Sequence, residues 1–314
     1  MHDVFSQEVP DLLQIHLNQL LASGISIEVM RERGYRSILG RAQLDELGFD
    51  RKQQRTPGIL MPQFAPDGTP VYPQYKPDIP RKHNDGKPIK YENIKGRSMR
   101  LDVPIRCAKN ATNPNEECWL TEGIKKSDSL ASHGAPFVVN ITGVWNFKSR
   151  NEFGAPVFKA DFDLIAWKGR DTEGNEYPRI VNMSFDSDII TKPQVSRALT
   201  MVKAHLERKG AKVYIVRLPD GDGGKKQAVD DFLAAGHTLD DLRTLASPDV
   251  PEVKPSPLSG ENTFGGWRYG TDGLFSRDSR GAETLKLSIP IRPSTILYNA
   301  REKASSFTGI DHRW

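Results

Sequence analysis

The segment Cys118-Trp119-Leu120-Thr121-Glu122-Gly123-Ile124-Lys125-Lys126 decides the fold of this chain. Its first four residues suit a short buried strand, and a helix-compatible stretch begins directly after Gly123. Glycine allows the backbone to turn tightly there, so Glu122 is left at the very end of the strand. The segment therefore predicts a strand, a turn that carries a carboxylate, and a helix.

The same strand-then-helix alternation continues along the chain after this segment. Apolar runs predict strands at 118–121, 136–141, 179–186 and 212–218, and helical patterns predict helices at 124–132, 193–209 and 227–235. Strands that alternate with helices favour an α/β fold built on a mainly parallel sheet. The aromatic-rich stretch 143–178 predicts extra strands inserted into this arrangement.

Acidic residues recur where the predicted strands end or the predicted helices begin. Asp186 and Asp188 alternate around a serine at the end of one strand, so they share a face, and Asp230-Asp231 follow a glycine- and lysine-rich loop. Strand ends of an open α/β sheet meet at its carboxyl edge. Mg²⁺ is typically held by one or two carboxylates plus substrate phosphates. We expect Glu122, Asp186 and Asp188 to converge on one Mg²⁺ or Mn²⁺, supported by Asp230 and Asp231.

Each acidic segment also has a simpler interpretation. Glu122 could be a first-turn acid stabilised by the helix dipole, and Asp188 could cap a helix or turn. Asp230-Asp231 could be a solvated helix start. The loop before them could approach phosphates, but it is not a nucleotide-binding P-loop, because Gly224-Lys225 lacks the glycine five residues earlier and the following Ser or Thr.

Positive charge is concentrated between Lys76 and Arg106, where nine Lys or Arg residues face four acids, a local excess of five charges. Tyrosines are interleaved with these charges, and aromatic rings can stack on bases. We expect this stretch to face phosphates, with nucleic-acid contacts from Lys87, Lys90, Tyr91, Lys95, Arg97 and Arg100. Upstream, two short strands at 57–62 and 69–72, joined by Pro66-Asp67-Gly68, predict a β-hairpin.

Composition limits the class of protein. With 314 residues, 37% of them hydrophobic, the chain is long enough for two packed domains. It has neither a run of roughly 20 apolar residues nor a signal peptide, so we expect a cytoplasmic protein without a membrane partner. The two cysteines, Cys107 and Cys118, are too few for a disulfide framework or an all-cysteine zinc ribbon, and should be buried thiols. A net charge of +4 does not by itself indicate a nucleic-acid partner.

Taken in order, the Glu-Gly, Asp-x-Asp and Asp-Asp segments resemble a Toprim domain, the metal-binding module of bacterial-type primases and topoisomerases. The hairpin and the Lys90-Tyr91 pair resemble the basic subdomain that precedes Toprim in such primases, where a Lys-Tyr segment faces the nucleic acid. More closely, residues from about 16 to 236 resemble a Toprim-like family of unknown function found in replication proteins of plasmids, phages and mobile elements. That likeness is carried by 121–128, 143–146, 185–188 and 230–231.

The resemblance implies a division of the chain into five parts. These are a helical lead-in at 1–56, a basic primase-like subdomain at 57–116, a Toprim-like domain at 117–247, a linker at 248–262, and the start of a truncated helicase-associated domain at 263–314. The Pro-rich composition of the fourth part is itself typical of a linker. In such proteins a helicase-like ATPase domain often follows, and 267–275 resembles its opening hairpin.

The resemblance also implies a function: a Mg²⁺- or Mn²⁺-dependent, primase-like nucleotidyltransferase that acts on nucleotides and single-stranded DNA, with Glu122, Asp186 and Asp188 as catalytic residues. Two features depart from the primase pattern. Lys126 stands where an Asp commonly follows the Glu by four residues, and the zinc ribbon is missing. Two alternatives therefore stay open: a non-catalytic module that loads or orients a helicase, and a Toprim nuclease.

Overall fold

A computed structural model of the protein describes residues 11–187 and 193–250, together with the backbone of six strands between 262 and 307. The chain forms two compact units, Met1–Val253 and Lys254–Trp314. The division falls inside the stretch predicted to be a linker. In the described part of the chain, no helix has the length and apolar character needed to cross a membrane.

The described part of the chain begins with two short helices, as the sequence predicts for the lead-in. They are α1 (Gln14–Leu21) and α2 (Ile27–Arg33). Ser26 caps α2, because its Oγ accepts a hydrogen bond of 3.3 Å from the backbone N–H of Val29. Gly34 ends the helix in a left-handed conformation, with φ of 77°.

The lead-in is not wholly helical, which differs from the prediction for 1–56. After α2 the chain forms β1 (Arg36–Ile38) and then α3 (Arg41–Glu46). β1 pairs antiparallel with β2 (Gly58–Phe64), and a four-stranded sheet in the order β1-β2-β3-β4 is completed by β3 (Pro70–Pro77) and β4 (Glu92–Asn93). A three-residue strand is too short to show the alternation by which a strand is recognised. The predicted hairpin is confirmed as β2 and β3.

The central sheet of the first unit starts with the segment that decides the fold. Its elements are β5 (Cys118–Thr121), α4 (Ile124–Ser132), β6 (Phe137–Asn140), then, after an insertion, β11 (Ile180–Ser184), α5 (Pro193–Arg208), β12 (Lys212–Val216), α6 (Val229–Ala234), α7 (Leu239–Thr244) and β13 (Ala246–Ser247). The strand order is β13-β12-β11-β5-β6. All pairs are parallel except β12 with β13, so the predicted α/β alternation is confirmed, with boundaries within two residues.

The insertion between β6 and β11 contains the extra strands that the sequence predicts. It forms two antiparallel ribbons, β7 (Lys148–Arg150) with β8 (Pro156–Phe158), and β9 (Lys168–Arg170) with β10 (Glu176–Pro178). Trp119 and Trp167 are buried in the core. Trp145 is 41% exposed instead, because it lies in the turn that leads into the insertion and not in a strand.

Two neighbouring strands of the sheet, β5 and β11, have helical connections that leave in opposite directions. Helix α4 leads from β5 to β6 on one side, and α5 leads from β11 to β12 on the other. The crevice outside their carboxyl ends is therefore a topological switch point, the usual place for a ligand in an open α/β sheet. Glu122 and Asp186 follow these two strands.

The second unit consists of antiparallel strands only, as far as the structure describes it. A four-stranded meander contains β14 (Asn262–Phe264), β15 (Trp267–Gly270), β16 (Gly273–Arg277) and β17 (Glu283–Leu287). A separate ribbon pairs β18 (Ile296–Asn299) with β19 (Ala304–Phe307). The predicted hairpin at 267–275 corresponds to β15 and the start of β16.

A buried ionic network joins three separate parts of the first unit. Arg33, at the end of α2, donates to Asp102 Oδ1 at 2.8 Å, to Asp128 Oδ1 in α4 at 2.7 Å, and to the Pro62 carbonyl at 2.9 Å. The Tyr35 hydroxyl donates to the other oxygen of Asp128 at 2.6 Å. Arg33 is 2% exposed and both acids are 0% exposed, so water cannot replace any of these partners.

Substitution of Arg33 tests how far the fold depends on this network. We expect Arg33→Met to lower the free energy of unfolding by about 3–5 kcal/mol, because two buried carboxylates lose their counter-charge. Urea denaturation followed by circular dichroism measures the change. The matched control is Arg106→Met, whose 2.6 Å pair with Glu32 is partly exposed and should be worth less than about 1 kcal/mol. Equal effects of the two variants would contradict a structural role for the network.

His205 gives the fold a pH dependence of a defined sign. Its ring stacks on Phe158 at 3.7 Å, and its buried Nε2 has no hydrogen-bond partner among the described residues. Burial lowers the pKa of His205 to about 4 from 6.5, and Lys209 and Arg208 contribute to the lowering. Its contribution to stability is therefore complete above pH 6.5 and is lost as the pH falls towards 4.

We expect His205→Phe to keep the stacked ring and to flatten this loss. Between pH 7 and pH 5 the unfolding free energy of the wild type should fall by about 1–2 kcal/mol more than that of the variant, since one proton contributes up to about 1.4 kcal/mol per pH unit. Denaturant titrations at several pH values measure the difference. His83→Phe, at an exposed position, should retain the wild-type slope. A variant slope that matches the wild type would contradict the assignment to His205.

Candidate functional site

A cavity of about 580 Å³ opens at the carboxyl edge of the central sheet. It lies between that sheet and the positively charged stretch from Lys76 to Arg106, the basic segment, because residues of both line it. We call this space the main cavity. The charged residues that line it are four acids and four lysines: Glu122, Asp186, Asp230, Asp231, Lys90, Lys125, Lys126 and Lys226. Tyr91, Gln74 and Asn93 add uncharged polar groups. The formal charges cancel, so the cavity is neutral overall but densely ionic.

Glu122 is held at the end of β5 by its neighbours in the turn. Gly123 adopts φ of 112°, a conformation that favours glycine, and its N–H donates to Asn140 Oδ1 at 2.6 Å. Asn140 ends the adjacent strand β6, so this bond ties two strand ends together. Burial raises the pKa of Glu122 and nearby Asp186 raises it too, whereas Lys126 and the Val144 N–H act in the opposite direction.

Asp186 lies two residues beyond the end of β11 and is bonded by two lysines. Lys126, in the first turn of α4, contacts Oδ1, and Lys226, in the loop before α6, contacts Oδ2. Backbone and side-chain bonds between Ser187 and Gln227, of 2.9 and 3.0 Å, fasten that loop to the end of β11. Both oxygens of Asp186 are therefore occupied by ammonium groups from separate elements.

The two acids at the start of α6 have different environments. Asp230 is 7% exposed, and its Oδ1 has no hydrogen-bond partner among the described residues. Burial raises the pKa of Asp230, and adjacent Asp231 raises it further. Asp231 is exposed, and its Oδ2 accepts the Ala228 N–H at 3.1 Å, as a first-turn capping residue does. Of the two acids, Asp230 is therefore the one with a buried oxygen that no described residue bonds.

The residues predicted to contact nucleic acid divide into two groups. Lys90 and Tyr91 line the main cavity. Burial raises the pKa of Tyr91, and the nearby carboxylate of Asp230 raises it further. The other four lie outside that cavity: Lys87 and Lys95 are mostly exposed, Arg97 lies 4.7 Å from the ring centre of Tyr72, and Arg100 bonds Asp161 at 2.6 Å.

Three members of the second group nevertheless lie in spaces next to the main cavity. Lys95 lines a neighbouring cavity of about 340 Å³ together with Lys52 and Arg81, and Arg97 and Arg100 line a narrow cleft. Asn93 lines all three spaces. The part of the predicted basic surface that contains Lys95, Arg97 and Arg100 therefore adjoins the acidic strand ends through Asn93 of β4.

The donor set of the cavity meets a modest requirement for a divalent ion. Among the described residues, no three carboxylate, histidine or cysteine side chains are placed to hold one ion, and Asp188 lies outside the described residues. Mg²⁺ needs only one or two protein carboxylates when substrate phosphates complete its shell. Glu122 with Asp186, and the Asp230 oxygen that has no partner in the described part of the chain, fit that smaller requirement. The predicted convergence of Asp188 on the same ion stays a prediction.

Sequence reasoning did not find two residues that shape this site. Asn140 fixes the turn that carries Glu122. The signal for it in the sequence is a polar residue near the end of the apolar run 136–141. Lys226 bonds Asp186 although 40 residues separate them in the chain. The composition of its glycine- and lysine-rich loop indicates a possible phosphate contact, but the bond to Asp186 depends on the three-dimensional approach of two loops.

A family model described as a domain of unknown function, DUF3854, matches residues 110–238, less than half of the chain. No protein of curated function matches the chain.

Solved primase structures are similar to the chain at low identity. The zinc-binding and RNA polymerase domains of the Aquifex aeolicus primase align with a TM-score of 0.49 and 14% identity, over 74% of this chain and 55% of that one. This chain thus spans about half of the Aquifex structure. A DNA primase domain from Pseudomonas aeruginosa aligns with a TM-score of 0.46 and 18% identity, over 74% and 72% of the two chains. The E. coli primase catalytic core gives 0.45 and 16%, with the same coverage.

Proposed function

We propose that the protein is a primase-like nucleotidyltransferase, dependent on Mg²⁺ or Mn²⁺, that joins nucleotides on single-stranded DNA as part of a replication protein of a plasmid, phage or mobile element. A helicase or ATPase domain is its proposed partner. The observation that carries the proposal is the main cavity, where Lys90 and Tyr91 of the basic segment share one space with Glu122, Asp186 and Asp230. Cationic and acidic groups at one switch point suit a reaction at phosphate.

The basic segment supplies the binding surface in this proposal. Lys90 neutralises backbone or incoming phosphates, and the half-exposed ring of Tyr91 offers a face on which a base can stack. Lys87, Lys95, Arg97 and Arg100 extend the positive surface along the template. Because the reaction needs little covalent chemistry, fixing the reactants in line is the main task of these side chains.

The acidic edge supplies the catalytic groups. Glu122, Asp186 and Asp188 would hold the divalent ion, with Asp230 or Asp231 in support, and the bound ion would neutralise charge on the reacting phosphates. Glu122 is also the proposed acceptor of the proton of an attacking hydroxyl, because burial raises the pKa of its carboxyl group and so makes the carboxylate a stronger base. The Val144 N–H and the Asn140–Gly123 bond keep that carboxylate in position.

One observation favours a second candidate, a non-catalytic DNA-binding module that loads or orients a helicase. Both oxygens of Asp186 are bonded to lysines, so the central acid is already neutralised without an ion. A module of this kind would keep the basic surface and would need no turnover. The assay below separates it from the enzyme and also detects the third alternative, a nuclease.

We expect Asp186→Asn/Asp188→Asn to lower the rate of oligonucleotide synthesis by at least about a hundredfold, because the variant removes two of the proposed metal ligands. The assay mixes the full chain with labelled nucleotides, single-stranded DNA and Mg²⁺ or Mn²⁺, and scores both new oligonucleotides and degraded template. Asp163→Asn/Asp240→Asn is the control, since it makes the same charge change at two exposed positions.

Three outcomes of that assay are distinct. Loss of synthesis in the first variant alone supports the proposal. Degradation of template without synthesis would replace it with the nuclease. Wild-type protein that neither synthesises nor cleaves, while it still binds single-stranded DNA, would establish the loading module.

The basic surface is tested separately from the chemistry. We expect Lys90→Ala/Lys95→Ala to weaken binding of single-stranded DNA, and to lower the log–log salt slope by about 0.7 for each phosphate that the variant no longer neutralises. Fluorescence anisotropy between about 50 and about 300 mM salt measures the slope. Lys168→Ala/Lys212→Ala removes the same charge near the amino ends of the strands and should leave the slope unchanged. An unaltered slope in the first variant would place the binding face elsewhere.

A further inference from the structure

The carboxylate of Asp186 lies between two ammonium groups that come from different parts of the chain. Lys126 reaches it from α4 and Lys226 reaches it from the loop before α6, each bonding a different oxygen. Nearby, Lys125 makes no such contact, because its Nζ donates to Ser23 Oγ at 2.5 Å. The two lysines therefore converge on one anionic group, the Asp186 carboxylate.

We propose that Lys126 and Lys226 are a phosphate-binding pair for which Asp186 is a resident, exchangeable anion. The inference rests on the proposed function in that the phosphate belongs to a nucleotide or to nucleic acid. A phosphate group that enters the cavity takes both ammonium groups from the carboxylate, and the carboxylate is left free. Lysine binds phosphate as a point charge, so the exchange needs only a small swing of two flexible side chains.

The surroundings of the pair favour this exchange. The main cavity is large enough, at about 580 Å³, for a phosphate chain beside the two lysines. Lys226 lies in a loop whose Gly223 and Gly224 both have positive φ, and its side chain is 49% exposed, so its ammonium group can follow a ligand. The buried oxygen of Asp230, which has no partner among the described residues, lines the same space. A carboxylate oxygen in this state lacks a donor or a cation, so it suits the divalent ion that would accompany the phosphate and is not itself a phosphate contact.

The exchange also gives a role to Lys126, which departs from the primase pattern. Two ammonium groups already contact the carboxylate of Asp186. A divalent ion at the same carboxylate would be repelled by them, because positive charges at short range repel each other. Once the lysines have moved to phosphate, that repulsion falls and the carboxylate becomes available. Phosphate and a divalent cation should therefore bind cooperatively. Each should bind more weakly when the other is absent.

The test is a calorimetric titration of the full chain with sodium tripolyphosphate in excess EDTA, without metal or DNA. We expect Asp186→Asn to bind tripolyphosphate at least about fivefold more tightly than the wild type, because the resident competitor is gone. Asp231→Asn is the matched control: it removes the same charge from the same cavity, contacts neither lysine in the described structure, and should give a rise of about twofold or less.

The lysines are tested by the opposite change. Lys126→Gln and Lys226→Gln should each weaken binding by about fivefold or more, whereas Lys125→Gln, from the same helix and cavity, should weaken it by about twofold or less. Thermal melts establish that each variant is folded. Lys226→Gln should disturb the fold least, because Lys226 lies in a glycine-rich loop. A parallel arm replaces tripolyphosphate with a single-stranded oligonucleotide, which distinguishes nucleotide phosphates from backbone phosphates.

The outcomes are decisive in both directions. The exchange is supported if affinity falls selectively in Lys126→Gln and Lys226→Gln and rises in Asp186→Asn. The arm in which this happens shows whether the phosphate belongs to a nucleotide or to the nucleic-acid backbone. If Lys126→Gln and Lys226→Gln match Lys125→Gln in both arms, or if Asp186→Asn matches Asp231→Asn, the exchange is overturned. Because no synthesis is measured, phosphate binding as expected in a protein that makes no oligonucleotide would reject the proposed function and keep this inference.

Discussion

The buried guanidinium of Arg33 constrains everything that follows it in the structure. It joins α2 to Asp102 and to Asp128 in α4, and Asp102 in turn accepts the amide of Asn140 at 3.2 Å. Asn140 fixes the Gly123 N–H, and so the position of the adjacent Glu122. Buried charges add little net stability, but removal of one partner is severe. Their role here is to place the candidate site at one end of an unbroken chain of hydrogen bonds.

Much of the fold could be predicted from the sequence because the relevant signals are local. Short apolar runs followed by glycine or acid, and helical patterns between them, mark β5, α4, β11 and α5 at nearly their observed bounds. The sharing of one cavity by Glu122 and Asp186 could also be predicted, since parallel strands present their carboxyl ends at one edge. The likeness of the acidic segments to Toprim added the proposed chemistry, which the fold alone does not specify.

The remaining features depend on contacts that no local pattern encodes. The pairing of Lys126 and Lys226 with Asp186 requires three elements to meet, and the strand β1 owes its identity to a partner more than twenty residues away. Trp145 looks like a core residue by type, but an inserted ribbon begins beside it and leaves it exposed. In each case tertiary context, and not propensity, decided the outcome.

The reach of Arg33 along the chain also bears on how the protein is made. Its partners lie 69 and 95 residues downstream, at Asp102 and Asp128. At a translation rate of roughly 5–20 residues per second, about 5–20 s pass between the synthesis of Arg33 and that of Asp128. Until Asp102 has been made, α2 has neither of these counter-ions to dock against, and the second, Asp128, follows later still. We therefore expect the amino-terminal segment to complete its packing only after Asp128 has emerged from the ribosome, and not in the order of synthesis.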